Sequence, residues 1–508
     1  MLGSGVSSES IWTAFDSVAT ATIRPITAKV LVAWTRTNST ANYATVGSSI
    51  VGGFDVIQGL DSAAINNADT FDYFDETDKV LKIEYERNLI EPLGGFSMAL
   101  AHITLDNTDL RFTPNINATI GTAIRPNRPV KIFIGFEVLG QQKIIPIIEG
   151  LTLQPREDKL KRTVTFDIID YLRWLNEKPQ ETAIYEDQRT DEIIADILSR
   201  AGVGTSNYRL DQGLNTVGFA WFEKGQTAGD RIKTLCEAEE AVFYQDELGV
   251  LHFENRDKYG QAPYNAQVWT IEPDDMLSWE VQANTKIINR AIVSGKPRTV
   301  KGEKEVWRDG VEEIIPAGGS LTIWANFDDP VASFTSPVSG TDYEAHALTG
   351  GLGTDLTSDI SIVMTEFTTA AKLVISNASG SEAFLNLLKI RGLPATVDYE
   401  ISEVFQDTVS IEDFNEQQVT IDNPYIDNKT FARNMARDIV RRYKNPSTVI
   451  RLTVRGMPHL QLRDQIRVKD MDLGTYKNYR LMGIQGNYES GGFTQKLTLR
   501  EITVREAL

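Results

Sequence analysis

The chain has 508 residues, of which 41% are hydrophobic and 24% charged, so its composition is that of an ordinary globular protein. Its length predicts roughly three or four domains. The 51 basic and 70 acidic side chains give a net charge of −19, which argues against a protein that binds nucleic acid through clustered Lys and Arg. We expect no membrane span, since no stretch reaches ~18 apolar residues, and no secretory signal at Met1–Val6, which lacks basic and apolar regions.

The first part of the chain predicts a β-domain that follows an N-terminal arm. Residues 1 to about 40 are rich in Ser, Thr and Ala and show no regular pattern. Residues 131–138 and 163–168 alternate apolar and polar side chains, which is typical of strands. Between them, the β-branched run 144–153 contains Pro146 and Gly150, which indicate an edge or a bulge. We expect a small barrel or sandwich that ends near Trp174, within residues 1–178.

Residues 179–262 predict a small α+β domain. Apolar residues at 193, 194, 197, 198 and 201 have helical spacing, and Gly202 ends that helix. A second helix begins at Thr227, whose hydroxyl can cap it with Asp230 three residues on, and runs to about residue 241. A hairpin follows, with its turn at 246–249 and its strands on either side.

An acidic module follows residues 263–303, which predict strands that join the last domain. Residues 311–413 hold sixteen Asp or Glu and only three basic residues, so they contribute −13 of the net charge. Short apolar runs in this part are separated by clusters of Gly, Ser, Asp and Pro. This spacing predicts an inserted β-sandwich over residues 304–412.

Residues 413–508 predict an amphipathic helix and a final set of strands. The helix, 428–444, has apolar residues on one side and Arg433, Arg437 and Arg441 on another. We expect that basic side to be solvated or ion-paired rather than bound to DNA. Four alternating or apolar runs then predict strands at 449–455, 465–468, 480–484 and 493–502.

Two parts of the chain share one plan. In each, three strands follow one another: the first set starts at Arg128 and the second at Arg463. Val130 and Phe166 are 36 residues apart, and Ile466 and Leu499 are 33 apart. One explanation is two copies of one β-domain; the other is that any two three-stranded meanders look alike in sequence.

Several segments resemble the tail hub proteins of tailed phages. They are 187–202, 238–257, 386–395, 421–426 and 452–464. The resemblance implies a mainly β fold with α+β parts: two tube-like β-barrels, a small α+β domain and an inserted β-sandwich. It also implies a homotrimer whose six barrels imitate a sixfold tube. The module at 304–412 departs from the hub pattern, so its role stays open.

The resemblance implies a structural, non-enzymatic protein of the virion, located at the phage tail tip and assembled in the host cytoplasm. The expected partners are the tail tube or distal tail protein, the tape-measure protein, and a receptor-binding protein, fibre or spike. DNA would contact the hub only in transit through the lumen, whose exit the hub gates. Since the chain stops at Leu508, just after the last barrel strand, we expect wall digestion and host binding to fall to other subunits.

Residues able to carry chemistry are sparse, and we expect no catalytic, cofactor or metal site. Cys236, the one cysteine, lies on the apolar face of a helix and is expected to be a buried thiol in a protein folded in a reducing cytoplasm. The four histidines are scattered, without the spacing of a zinc site. Asp106 and Asp109 are expected in a turn rather than a calcium site, and Gly350–Gly353 in a loop hinge.

Two alternatives to the structural hub stay open. A tail-associated cell-wall hydrolase of the glycosidase type would use Asp246 or Glu247 together with Glu254. A carbohydrate-binding adhesin would stack sugars on aromatic residues of the acidic module: Trp324, Phe327 and Tyr343. The simpler interpretation of the carboxylates is a solvated hairpin tip, and the simpler interpretation of the aromatic residues is that they belong to the sandwich core.

Overall fold

The computed structural model describes residues 26–36, 71–89, 95–117, 120, 121, 123–138, 141–179, 184–222, 225–261, 264–284, 287–397, 399–489 and 492–502. These residues are mostly in strands, which confirms the expected mainly β fold. The predicted arm lies outside the described residues as far as residue 25. No helix within the described ranges is long and apolar enough to cross a membrane.

The N-terminal part is built of strands that alternate in burial. In one of them, Ala101, Ile103 and Leu105 are buried while Leu100 and His102 point away from the core, as the period of two requires. The predicted irregularity at Pro146 is a bulge, where the pairing register shifts. The strands are β1 (Ile26–Arg36), β2 (Phe71–Asp75), β3 (Val80–Asn88), β4 (Gly95–Ser97), β5 (Ala99–Asp106), β6 (Pro129–Val138), β7 (Gln141–Thr152), β8 (Arg156–Asp158) and β9 (Thr163–Ile169).

Helices and short strands alternate in the next part. Both predicted helices form. The first ends at Gly202, whose φ of 88° is a left-handed conformation that glycine adopts readily. The second is capped by the Thr227 hydroxyl, which accepts a hydrogen bond from the Asp230 amide at 3.1 Å. The elements are α1 (Tyr171–Glu177), β10 (Ile184–Arg189), α2 (Thr190–Ala201), β11 (Tyr208–Leu210), β12 (Thr216–Trp221), α3 (Ala228–Glu239), β13 (Val242–Gln245) and β14 (Leu251–Glu254).

The acidic module forms a two-layer sandwich. One long strand, β27, pairs with five others, and the second layer is a three-stranded sheet. Leu373 from this layer and Leu388 from the first belong to one hydrophobic core. The strands from residue 267 on are β15 (Gln267–Ile271), β16 (Met276–Asn284), β17 (Arg290–Gly295), β18 (Arg298–Val300), β19 (Lys304–Arg308), β20 (Glu313–Ile315), β21 (Ser320–Asn326), β22 (Val331–Thr335), β23 (Tyr343–Leu348), β24 (Leu352–Asp355), β25 (Ile360–Phe367), β26 (Ala370–Asn377) and β27 (Ala383–Val397).

The last part of the chain adds strands to the sheet formed by the N-terminal part, and it adds a helix and strands to the α+β part. The amphipathic helix buries Met435 and Ile439 against the core of the α+β part, where β17 pairs with strands on both sides. The elements are β28 (Ile401–Gln406), α4 (Thr408–Phe414), β29 (Gln418–Asp422), α5 (Lys429–Tyr443), β30 (Ser447–Arg455), β31 (Gln465–Lys469), β32 (Tyr476–Glu489) and β33 (Gly492–Glu501).

Fourteen strands from both ends of the chain form one continuous sheet. Its main path runs β16-β30-β33-β32-β3-β5-β9-β7-β6-β1-β2, with β31 and then β15 beside β32, and β8 beside β9. One hydrophobic core, which includes Trp34, Phe166, Leu452 and Leu499, extends beneath both ends of this path. The N-terminal and C-terminal strands therefore fold as one unit.

The same five-stranded topology occurs twice in this sheet. The order β3-β5-β9-β7-β6 places the first, second, fifth, fourth and third strands side by side, and β16-β30-β33-β32-β31 places its strands in the same order. Every neighbouring pair in both sets is antiparallel. The three strands that the sequence matched between residues 128–168 and 463–502 occupy equivalent places. The strands that flank the two copies differ, since β1 lies antiparallel to β6, whereas β15 lies parallel to β31.

Candidate functional site at the junction of the two sheet copies

The two copies meet where β3 pairs with β32. Seven residues of β3 take part, from Lys82 opposite Glu489 to Asn88 opposite Gly483. At the centre, Tyr85 lies opposite Gly486, and its ring covers the position where a Cβ of that glycine would be. The glycine is needed there because the aromatic ring and the neighbouring strand approach closely.

A hydrogen-bonded chain crosses this junction inside the core. Gln495 of β33 donates from Nε2 to the Tyr85 hydroxyl at 2.7 Å, and its Oε1 accepts from the Met457 amide at 2.5 Å. Tyr85 and Gln495 are both buried, so each polar atom needs a partner within the protein. Burial also raises the pKa of the Tyr85 phenol above its usual range.

Arg87, two residues further along β3, ties the junction to two other parts of the chain. Its Nη1 donates to Gln461 Oε1 at 2.6 Å, and its Nη2 lies 3.5 Å from Glu247 Oε2. Gln461 belongs to the loop between β30 and β31, and Glu247 lies in the turn between β13 and β14. One buried guanidinium thus joins the first copy, the second copy and the α+β part.

A buried ion pair between Arg463 and Glu254 lies beside this junction. Arg463 has no solvent exposure, and Glu254, at the end of β14, accepts hydrogen bonds from the hydroxyls of Tyr244 at 3.0 Å and Tyr264 at 2.8 Å. The Arg463 guanidinium lies 4.9 Å from the Tyr264 ring centroid. Because the two charges are paired and hydrogen-bonded, Arg463 and Glu254 are held in one geometry. Removal of either charge would leave the other buried without an opposite charge.

A second buried arginine and an aspartate complete the cluster. Arg480 Nη1 donates to the carbonyl oxygens of Tyr264 at 2.8 Å and Arg463 at 3.1 Å. Asp464 accepts from the Gln461 amide at 2.8 Å. Burial raises the pKa of Asp464 to about 6, and the nearby Glu247 adds to the rise. The junction cluster, defined as Arg87, Glu247, Glu254, Arg463, Asp464 and Arg480, therefore joins the two copies to the α+β part.

The carboxylates of the hydrolase alternative have structural roles here. Asp246 Oδ1 accepts from the amides of Leu248 and Val250 at 2.9 Å each, and its Oδ2 lies 2.9 Å from His252 Nε2, so it holds the hairpin turn. Glu254 is bound to Arg463 and two tyrosine hydroxyls. Glu247, the other candidate of the pair, lies 3.5 Å from the Arg87 guanidinium.

The other residues singled out in the sequence are dispersed. Cys236 is fully buried, which raises the pKa of its thiol well above the usual value and disfavours the thiolate. Asp106 accepts from the Thr108 amide at 3.1 Å in a turn, and Gly350 and Gly351 have a φ of 72° in the hairpin between β23 and β24. No group of three His, Cys, Asp or Glu side chains that could hold a metal occurs among the residues the structure describes.

Two arginines on the basic side of α5 form ion pairs, whereas the three aromatic residues of the sandwich differ in how far they are buried. Arg433 lies 3.2 Å from Glu403, and Arg437 lies 3.4 Å from Asp438, which agrees with an ion-paired face. Tyr343 is buried and Phe327 packs against the sandwich core. Trp324, in contrast, is 53% exposed on β21.

Outer strands of the sheet have unpaired sides, and β16 and β2 are those at the two ends of its main path. At one end, no described strand pairs with the outer side of β16, and at the other none pairs with the outer side of β2. On β16, Leu277 is 52% and Val281 66% exposed. Val281 lies opposite Ile450, a core residue, so it is on the apolar face of the sheet. An exposed apolar strand edge of this kind offers unpaired backbone groups with which another strand can pair.

The chain is similar to solved structures of phage tail proteins. They include the 43 kDa tail protein of prophage MuSo2 from Shewanella oneidensis (11% identity, TM-score 0.45, 84% of this chain and 95% of that one). A tail protein from Neisseria meningitidis MC58 has 10% identity and a TM-score of 0.48 over 94% of this chain and 96% of that one. Prophage tail protein gp18 from Listeria monocytogenes EGD-e has 9% identity and a TM-score of 0.39, over 86% and 94%.

These neighbours are of the class that the sequence resembles, phage tail and baseplate proteins. No family model matches the chain, and no curated protein matches it. Since the identities are low and the TM-scores are below 0.5, the function proposed below rests on the chain's own strands and contacts.

Proposed function

We propose that this chain is a structural, non-enzymatic hub of a phage tail, a homotrimer that closes the tail tube at its distal tip. The observation that carries the proposal is the five-stranded topology that occurs twice in the sheet. Three chains would bring six such units together around a threefold axis. Six similar units match the sixfold symmetry of a tube, because each unit offers the tube nearly the same edge.

In this proposal the two free edges join neighbouring chains. β16 and β2 lie at opposite ends of the sheet path. A head-to-tail contact, in which β16 of one chain pairs with β2 of the next, forms a closed ring when the rotation is threefold. The exposed side chains of Leu277 and Val281 would then be buried, and both of these strand edges would be paired.

The hub would bind the tail tube or distal tail protein on one side and a receptor-binding protein, fibre or spike on the other. It would also contact the tape-measure protein, and DNA would pass through its lumen. The net charge of −19 supports this role, since like charge discourages DNA from adhering to a channel wall. Release of DNA would follow repacking of subunit interfaces after host contact, rather than any bond-breaking step.

The test is the mass of the purified chain by light scattering or native mass spectrometry. We expect a mass three times the 56.6 kDa of one chain. Val281→Lys places a charge at the apolar edge and should shift the mass toward that of the monomer. The matched control is Leu160→Lys, at a residue 97% exposed and away from both edges, which should stay trimeric. A monomeric wild-type chain at virion-like concentrations, or a trimer that Val281→Lys leaves intact, would contradict this assembly.

A further inference from the structure

The outer face of the three-stranded sheet in the sandwich is an uncovered, aromatic surface. Cross-strand partners place Trp324 of β21 and Thr365 of β25 on either side of Lys372 of β26, all on the side away from the sandwich core. Phe367 lies on the same side, opposite Ala370. The rings of Trp324 and Phe367 are 5.8 Å apart between centroids, with 24° between their planes. We call this the Trp324 face.

Small hydroxyl side chains lie on the same face as the two rings. Thr322 and Val363 lie on the same side, opposite Val374, and Val363 is 65% exposed. The other exposed hydroxyl residues of the Trp324 face are Ser320, Ser361 and Thr365. A single exposed apolar residue is ordinary on a protein surface. A tryptophan, a phenylalanine and a valine together on one exposed sheet face, with hydroxyl side chains beside them, form a patch that indicates a binding surface.

The chemistry of this face matches a sugar ring. The C–H side of a pyranose is apolar and packs on an aromatic plane, whereas its hydroxyls need donors and acceptors at the rim. The Trp324 face supplies both, with the Lys372 ammonium as a further donor. Because Trp324 and Val363 are exposed on a sheet surface rather than in a closed pocket, the face suits a chain of several sugar units rather than one enclosed sugar.

Charge limits the class of ligand. The sandwich, residues 304–397, holds twelve acidic and five basic residues, so its surface repels polyanions such as teichoic acids and nucleic acids. A neutral polysaccharide carries no such penalty. We infer that the Trp324 face binds a neutral polysaccharide. This role is additional to the hub and does not depend on whether the chain is a trimer.

The experiment uses the full chain and an array of neutral and anionic oligosaccharides, followed by native gels cast with the neutral polysaccharides β-glucan or galactomannan. We expect binding to at least one neutral glycan and retardation in a neutral gel. Trp324→Ala and Phe367→Ala should each weaken binding about tenfold, which is the usual cost of losing an aromatic contact. Both residues lie on the surface, and circular dichroism of the variants checks that the fold is kept.

Leu348→Ala is the matched control, because Leu348 is 57% exposed on the other layer of the same sandwich. It should bind as the wild type does. Absence of binding to every neutral glycan would overturn the inference, as would equal binding by Trp324→Ala. Preference for anionic glycans would also overturn it. If Trp324→Ala instead changes the mass of the assembly, the face is a contact between copies of this chain and the inference is wrong.

Discussion

Gln495 and Tyr85 are 410 positions apart in the chain, yet their side chains form a 2.7 Å hydrogen bond inside the core. Tyr85 belongs to the first copy of the five-stranded topology and Gln495 to the second. The bond lies beside the β3–β32 pairing, which joins the copies into one sheet. The two halves therefore cannot separate without exposing buried polar groups, and we expect them to unfold together.

Tyr85→Phe should destabilise the protein by about 1–3 kcal/mol, because the Gln495 amide would be left buried without its acceptor. Urea unfolding followed by circular dichroism measures the loss. Tyr399→Phe is the control. It removes a tyrosine hydroxyl from a residue that is 55% exposed, so the urea midpoint should stay nearly unchanged. Equal stability of Tyr85→Phe and wild type would show that the buried bond contributes nothing.

Arg463→Met should cost about 3–5 kcal/mol, because it leaves the Glu254 carboxylate buried without its cation. The double variant Arg463→Met/Glu254→Gln removes both charges and should recover a large part of this loss. Arg173→Ala is the control, since its pair with Glu177 is exposed and is worth at most about 1 kcal/mol. Thermal unfolding of the four proteins distinguishes the cases. A double variant as unstable as Arg463→Met would mean that the charge pairing is not the cause.

The Asp464 carboxyl makes stability fall as pH rises. Its pKa in the folded protein is about 6, above the ~3.9 of an unfolded aspartate, so between these values the folded state binds more protons than the unfolded state. The penalty for ionising Asp464 is therefore absent below about pH 4 and complete above about pH 6. Asp464→Asn should be more stable than wild type at pH 7 and lose that advantage at pH 4. Urea midpoints measured at both pH values check this; an advantage that does not change with pH would contradict it.

Many elements of the fold can be predicted from patterns within one segment of the sequence, whereas the pairing at the junction cannot. The helical period at residues 193–201 and the glycine after it predict α2 because both are read within one segment. The repeated topology shows as two similar strand series. In contrast, the pairing of β3 with β32 joins residues about 400 positions apart, and neither strand carries a pattern that specifies its partner. Arg463 also looks like an exposed loop residue in sequence, since charged side chains are seldom fully buried unless paired.

The exposure of Trp324 had a signal in the sequence. Leu321, Ile323 and Ala325 alternate with Thr322 and Trp324, so the period of two predicts that Trp324 points away from the core. The interpretation of the three aromatics as core residues is correct for Tyr343 and Phe327, which pack in the sandwich. It is wrong for Trp324, which lies at an outward-facing position of β21 and is 53% exposed.

The sandwich should be removable without loss of the rest of the fold. Val300 of β18 lies opposite Ala395 of β27, so the chain enters and leaves the module at adjacent points. The apolar core of the sandwich is a separate cluster from the two cores of the remaining chain. Replacement of residues 301–394 by Asn-Gly would close β18 and the end of β27 as a two-residue hairpin, whose turn these residues favour. The Arg298 contact with Trp221, 4.7 Å from guanidinium to ring centroid, is kept.

This shortened chain should be folded, should have the same number of subunits as the full chain, and should no longer bind neutral glycans. Its unfolding midpoint should stay close to that of the corresponding transition in the full chain, because no contact within the large sheet is lost. A second deletion that removes residues 298–397 is the control, since it also removes Arg298 and should be less stable through the loss of the Trp221 contact. If the shortened chain aggregates while the full chain does not, then the sandwich covers a surface of the remaining chain and is part of its fold rather than an addition to it.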